Sequence, residues 1–325
     1  MTAELASLIE ERTGRKPPSD PLVLTDTTEF FRIERDHVLL IDGRHYLVLG
    51  NAWEYRFGID EEQKPWVKVA VELETGAAKI LKLVFHEEFT SRFGAFSFRC
   101  VRSEEKEGRV LELVRGNADF MQGVTARDEK GNLVRIIDRI QGRSFYAHVQ
   151  SLDMDHERYF HEVMPPLLGK VRTAVEAICL IHDAGTCHGD IRNDHIFIEQ
   201  STGRFRWIDF DLTQEFSDFD VWSLGNILCF TVAGQILTFE DASRIAGSPA
   251  ALERDDAAVL FGYRVMNLRK LFPYIPRCLN DVLMRFSVGA TEPYGSVAEI
   301  VHDLDACLSE LGQEPRSLHG SGGDH

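Results

Sequence analysis

Apolar and polar positions alternate along much of residues 38–140, and beyond residue 142 the apolar positions recur every three to four residues. A period of two predicts strands half-buried against a core, and a period near 3.6 predicts amphipathic helices. Three hairpins are predicted in the first region. Strands over 38–41 and 46–49 flank Asp42-Gly43, a dipeptide suited to a two-residue turn. Strands over 67–73 and 78–84 flank Glu74-Thr75-Gly76, and strands over 120–127 and 133–140 flank Glu129-Lys130-Gly131-Asn132. A helix is predicted over 98–114. In the second region, Leu167, Val171, Val175, Ile178 and Ile181 mark a helix over 160–184. Further helices are predicted over 220–233 and 279–311, the last interrupted at Thr291-Glu292-Pro293-Tyr294.

The chain therefore divides into an N-terminal extension (1–27), a strand-rich part (28–141), a helical part (142–311) and a flexible tail (312–325). The extension holds a short helix near 3–12 and the linker Lys16-Pro17-Pro18-Ser19-Asp20-Pro21. The class expected is α+β, as two lobes with a cleft between them.

Charge narrows the function. A net charge of −16 argues against nucleic acid or an anionic membrane surface as the main partner, because both need a basic footprint. No stretch reaches the length of a membrane span, and the N-terminus lacks the apolar core of a signal peptide. Cys100, Cys179, Cys187, Cys229, Cys278 and Cys307 are scattered, with no Cys-x-x-Cys pair, so neither a zinc site nor a disulfide framework is expected. A reducing cytoplasm is the expected location.

Two segments carry the candidate chemistry: Cys187-His188-Gly189-Asp190-Ile191-Arg192-Asn193-Asp194-His195-Ile196-Phe197-Ile198, and Trp207-Ile208-Asp209-Phe210-Asp211. Each lies beside a short apolar run of strand type, which places Asp190 and Asp209 at the ends of neighbouring strands. Phosphoryl transfer from Mg-ATP needs such a pair, one carboxylate to orient a hydroxyl and another to hold the metal. Asp209 alone reads as a surface turn acid. Both together, at this separation, point to function.

The first segment resembles the catalytic loop of the protein-kinase-like superfamily, and the second its metal-binding Asp-Phe-Gly segment. Over about residues 35–310 the chain resembles an atypical bacterial member. The resemblance implies a two-lobed protein-kinase-like fold, with a small antiparallel β-sheet lobe that binds nucleotide and a larger helical lobe. It implies ATP with Mg²⁺ or Mn²⁺ as cofactor and a hydroxyl on a protein or small molecule as acceptor. Asp190 matches the catalytic base, Arg192 a basic residue against the transferring phosphate, and Asp209 the metal ligand. His188 matches a histidine that orients the loop, and Asp220 an acid that bonds the loop backbone and also suits a helix N-cap. Lys82 matches the lysine that faces the ATP phosphates, with Lys79 its competitor; the two point to opposite faces of a regular strand. Its partner glutamate would be Glu107, with Glu104, Glu105 and Glu112 as alternatives. Asp138-Arg139-Ile140-Gln141-Gly142 resembles the hinge that reads the adenine edge, with Asp138 and Ile140 its candidate contacts, and Phe197 falls where a side chain lies beneath the base.

The departures matter as much. His195 stands where the family keeps a metal-binding Asn, and Mg²⁺ prefers oxygen ligands. His195 therefore either favours Mn²⁺, acts through a water, or marks a lost second metal position. Asp211 replaces a glycine, as in the lipopolysaccharide sugar kinases that the segment also resembles. Asp209 and Asp220 are only 11 positions apart, too few for a phosphorylatable loop, and no Ala-Pro-Glu occurs. The expected glycine-rich loop, Gly50 to Gly58, carries Trp53, Tyr55 and Arg56 in place of small residues that let backbone N–H groups approach phosphates. Two readings follow: an active phosphotransferase, or a pseudokinase that retains the fold as a binding or regulatory module. The joint retention of Lys82, Asp190 and Asp209 favours the enzyme.

Overall fold

The computed structural model describes residues 3–17, 22–56, 60–93, 96–214, 218–245 and 252–313. The chain packs as two compact units, one of Met1–Asp153 with Leu180–Asp220, the other of Met154–Cys179 with Val221–His325. The α+β class is as expected, with strands concentrated in the first unit and helices in the second.

The first unit begins with α1 (Ala3–Thr13), β1 (Val23–Leu24), β2 (Val38–Ile41), β3 (Arg44–Arg56), β4 (Asp60–Glu72) and β5 (Ala78–Lys82). There follow β6 (Glu87–Phe93), β7 (Phe96–Arg102), α2 (Glu104–Leu113), β8 (Gly123–Arg127), β9 (Leu133–Asp138), β10 (Gly142–Ser144) and α3 (Phe145–Gln150). After the helical insertion come β11 (Ile196–Glu199), β12 (Phe205–Trp207) and β13 (Leu212–Gln214). Seven strands form one sheet in the order β1-β2-β3-β4-β5-β9-β8, antiparallel except for the β1–β2 pair.

The two faces of that sheet follow the period-two pattern. Leu39, Ile41, Tyr46, Val48, Ala70, Leu81, Leu83, Val134 and Ile136 form the core on one face. Val38, Leu47 and Leu73 point the other way and are covered by Leu5 and Ile9 of α1. The N-terminal helix is thus packed against the sheet, and Arg12 adds a hydrogen bond from Nε to the Leu73 carbonyl at 3.3 Å. Asp42 and Gly43 both take positive φ, +49° and +74°, as the tight turn between β2 and β3 requires.

The second unit holds α4 (His156–Glu162), most of α5 (Met164–Asp183), α6 (Phe219–Ala233) from Val221 on, α7 (Phe239–Ile245), α8 (Arg277–Met284) and α9 (Val297–Gln313). Val221, Leu224, Ile227, Leu228, Phe230 and Val232 are all buried, so α6 is apolar around most of its circumference and forms the centre of this unit. His156 lies flat on Phe272 with ring centroids 3.7 Å apart, between the Tyr274 hydroxyl (2.6 Å) and the Val232 carbonyl (3.0 Å).

Three expectations are corrected. Residues 98–102 are strand, because β7 pairs with β6 on one side and β13 on the other; the helix begins only at Glu104. The helix expected over 160–184 is two helices, α4 ending at Glu162 and α5 starting at Met164. The glycine-rich loop is strand from Gly50 to Arg56, with Gly50 at φ +148° beside a register shift in the β3–β4 ladder. The loop tip at 57–59 lies outside the described residues, as do linker positions 18–21 and the tail from 314.

Candidate active site

Lys82 ends β5, and Arg135 is its direct cross-strand partner on β9. Both alternate with the core residues Leu81, Val134 and Ile136, so both side chains project from the face opposite that core. Two cations side by side on a sheet repel. Glu107 of α2 resolves this, accepting from Lys82 Nζ at 2.6 Å through one oxygen and from Arg135 Nε at 3.2 Å through the other. Its side chain is fully buried. Lys79, three residues earlier, points to the other face and pairs with Asp138 at 2.5 Å.

Lys82 also donates to Asp209 and, at 3.3 Å, to Asp211. Burial opposes a charge on Lys82, but Asp209, Asp211 and Glu107 raise its pKa well above the usual lysine value. Burial likewise opposes ionisation of Asp209, yet Lys82, then Lys64 and His195, hold it well below the usual carboxylate range. Asp209 adopts φ +69°, a left-handed conformation that Asp tolerates better than most residues and that often marks a functional position.

Asp190 lies in a loop fixed from several sides. Asp220 accepts the backbone N–H groups of His188 at 2.7 Å and Gly189 at 2.8 Å, and also bonds His182 Nε2 at 2.9 Å. His188 is fully buried, edge-on to Trp207 and Phe210 at 5.1 and 5.0 Å. Desolvation depresses its pKa to about 3, which keeps the ring neutral. Its Nδ1 accepts the Asp190 N–H at 3.3 Å.

His195 lies between the two acids. Its Nδ1 contacts the Asp190 carbonyl at 2.7 Å, and because a carbonyl only accepts, that nitrogen carries the proton. Nε2 lies 3.6 Å from Asp209 Oδ2. A backbone bond to one ring nitrogen is also how proteins orient an imidazole whose other nitrogen can take a metal. Glu107, Asp209 and Asp211 also bring carboxylate oxygens within 4.8 Å of one another, but the Lys82 ammonium already bonds all three. Asp209 Oδ2 and His195 Nε2, 3.6 Å apart, are two further atoms that could hold a divalent cation.

Among the residues singled out from sequence, the structure brings Lys82, Glu107, Asp209, His195, Asp190 and Arg192 into one connected group. Arg192 sits 3.9 Å from Asp190 but forks mainly onto Asp194, with its Nε at 2.9 Å. Asp138 bonds Lys79 instead, Ile140 is half-buried, and Phe197 sits half-buried in β11 between Ser144 and Arg206. None of these three makes a hydrogen bond or ion pair to the group among the described residues.

Sequence reasoning missed four basic residues. Arg102 and Lys106 are buried, Arg135 bonds Glu107, and Lys64 of β4 lies 3.8 Å from Asp209 Oδ2. Arg102 donates to Asp211 at 2.8 Å and to Glu87 at 2.9 Å. In Gln-Lys-Pro-Trp or Glu-Glu-Lys-Glu contexts, basic residues read as solvated. The register of β5 against β9 and the buried Glu107 reveal otherwise for Arg135, and contacts to Asp209, to Asp211 and to the His188 and Leu212 carbonyls do so for Lys64, Arg102 and Lys106.

No protein-family model matches the chain. Among solved structures it is similar to the kinase domain of PknI from Mycobacterium tuberculosis, at 15% identity and a TM-score of 0.46 over 82% of this chain and 96% of that one. Among the described residues, no helix is long and apolar enough to cross a membrane.

Proposed function

We propose that the protein is an ATP-dependent phosphotransferase of the protein-kinase-like superfamily, which moves the γ-phosphoryl group to a hydroxyl on a protein or on a small molecule such as a sugar. The observation that carries this reading is the buried contact of Lys82 with both Glu107 and Asp209, with His195 leading from Asp209 to Asp190. Glu107 orients Lys82, whose ammonium exchanges its bonds to Asp209 and Asp211 for phosphate oxygens when the nucleotide enters. Asp190 orients the acceptor hydroxyl and takes its proton at a carboxylate oxygen. Arg192, aligned by Asp194, adds positive charge beside Asp190. A divalent cation, when bound, offsets charge on the phosphate oxygens, and Asp209 Oδ2 with His195 Nε2 are the atoms that would hold it. The shortened stretch between Asp209 and Asp220 supports a small acceptor over a peptide laid along a platform.

One observation favours the pseudokinase reading. The Lys64 ammonium lies 3.8 Å from the same Asp209 oxygen and supplies positive charge there without a metal. Nucleotide-dependent stabilisation separates the two. At one hundred times its dissociation constant, ATP with Mg²⁺ or Mn²⁺ adds about 2.7 kcal/mol to unfolding stability. Stabilisation that needs the metal and disappears in Asp209→Ala supports the enzyme. No stabilisation with either metal contradicts it.

A further inference from the structure

We propose that Arg102, Asp211 and Lys106 act as positioning residues that hold α2 permanently against the segments bearing Asp190 and Asp209, so that the Lys82–Glu107 pair forms without phosphorylation of the chain. The proposal deepens the phosphotransferase reading and takes its functional meaning from it.

A phosphoryl group commonly orders such a site by placing an anion opposite an arginine near the helix that carries the glutamate. Here both charges are encoded. Arg102 is the last residue of β7 and immediately precedes Ser103, whose side chain caps α2 by accepting the Lys106 N–H. The carboxylate opposite Arg102 is Asp211, which also faces Lys82. The acid that replaces the expected glycine thus meets two cations and lies between the phosphate-facing lysine and the root of α2. A glycine at this position could make neither contact.

Two further links close the junction. The Ser103 N–H donates to the Asp211 carbonyl at 2.8 Å, and β13 continues as a strand beside β7, pairing Leu212 with Arg102 and Gln214 with Cys100. Lys106, one residue before Glu107, reaches the carbonyls of His188, at 2.8 Å, and Leu212. Burial lowers its pKa, and those carbonyls, rather than a carboxylate, receive its hydrogen bonds. Gly189 lies so close that an added Cβ would fall 1.9 Å from the Leu212 carbonyl oxygen. The N-terminal turn of α2, the loop before Asp190 and the strand after Asp209 therefore meet with no room for a side chain.

Hydrogen–deuterium exchange at the backbone amides of α2 tests this in the full chain, without nucleotide. Protein treated with a phosphatase, and shown by intact mass to carry no phosphate, should have slowly exchanging α2 amides. They should be unchanged in protein incubated with ATP and Mn²⁺ and then stripped of nucleotide. Arg102→Met and Asp211→Gly should each raise α2 exchange at least tenfold, while Arg102→Lys, which keeps the charge, gives a smaller rise. Fast α2 exchange in unphosphorylated wild type that slows only after phosphorylation would overturn the proposal; so would variants that exchange like wild type. The Arg102→Lys and wild-type measurements decide the matter even where Arg102→Met does not fold. Because exchange requires no ATP binding, failure of the phosphotransferase reading would show separately, as an absence of nucleotide stabilisation.

Discussion

Glu107→Gln isolates the charge that holds the site together. The substitution keeps the shape of the side chain but leaves Lys82 and Arg135, adjacent on the sheet, facing a neutral amide. In the wild type Glu107, Asp209 and Asp211 balance Lys82, Arg135 and Arg102; in the variant one positive charge is left uncompensated in a buried cluster. Breaking a buried pair by removing one partner costs about 3–5 kcal/mol. In urea, with a slope of about 2 kcal/mol/M, the midpoint should fall by about 1.5–2.5 M. Glu112→Gln is the control on the same helix. Its side chain is 57% exposed and pairs with an equally exposed Arg115, so its loss should stay within about 0.5 kcal/mol. Equal effects of the two substitutions would refute the claim that Glu107 is a buried counter-ion.

Three further outcomes are expected. His156 has its pKa lowered from 6.5 by burial, so below pH 6.5 the unfolded chain takes up a proton that the folded one refuses; stability should fall as pH drops through that window, by at most 1.36 kcal/mol per pH unit for this one group, and the slope should weaken in His156→Gln when urea midpoints are measured from pH 7 to 5. Gly189→Ala places a methyl group against the Leu212 carbonyl at φ +85°, which should cost about 3 kcal/mol in the same denaturation assay. His195→Asn, which offers Mg²⁺ an amide oxygen in place of the imidazole nitrogen, should leave Mg²⁺-dependent activity equal or higher; a steep loss in initial rate would show that an oxygen donor cannot replace the imidazole there.

Much of the first unit was legible because its turns announce themselves. Asp42-Gly43 and Glu74-Thr75-Gly76 join strands whose apolar residues alternate, and the parity of residues 79 and 82 separates the two lysines by face. The hairpin of β6 and β7 was not legible. Its second strand ends at Arg102, one residue before a helix begins, and that helical pattern masked the alternation of Phe98 and Cys100. Gly50 reads as the start of a loop, yet in the structure it is a kink within one continuous strand. Asp190, Asp209 and Asp220 could be found because their neighbours form recognisable segments. Arg102, Lys106 and Lys64 could not, since their partners lie far along the chain and no spacing in the sequence encodes those contacts.

Transfer of label from γ-³²P-ATP, with Mg²⁺ and with Mn²⁺, tests the central claim most directly. Wild-type protein should release or transfer labelled phosphate, and Asp190→Ala and Asp209→Ala should each lower the rate at least a hundredfold while remaining folded. Equal rates in the wild type and both variants, or no turnover in wild type that demonstrably binds ATP, would contradict the account.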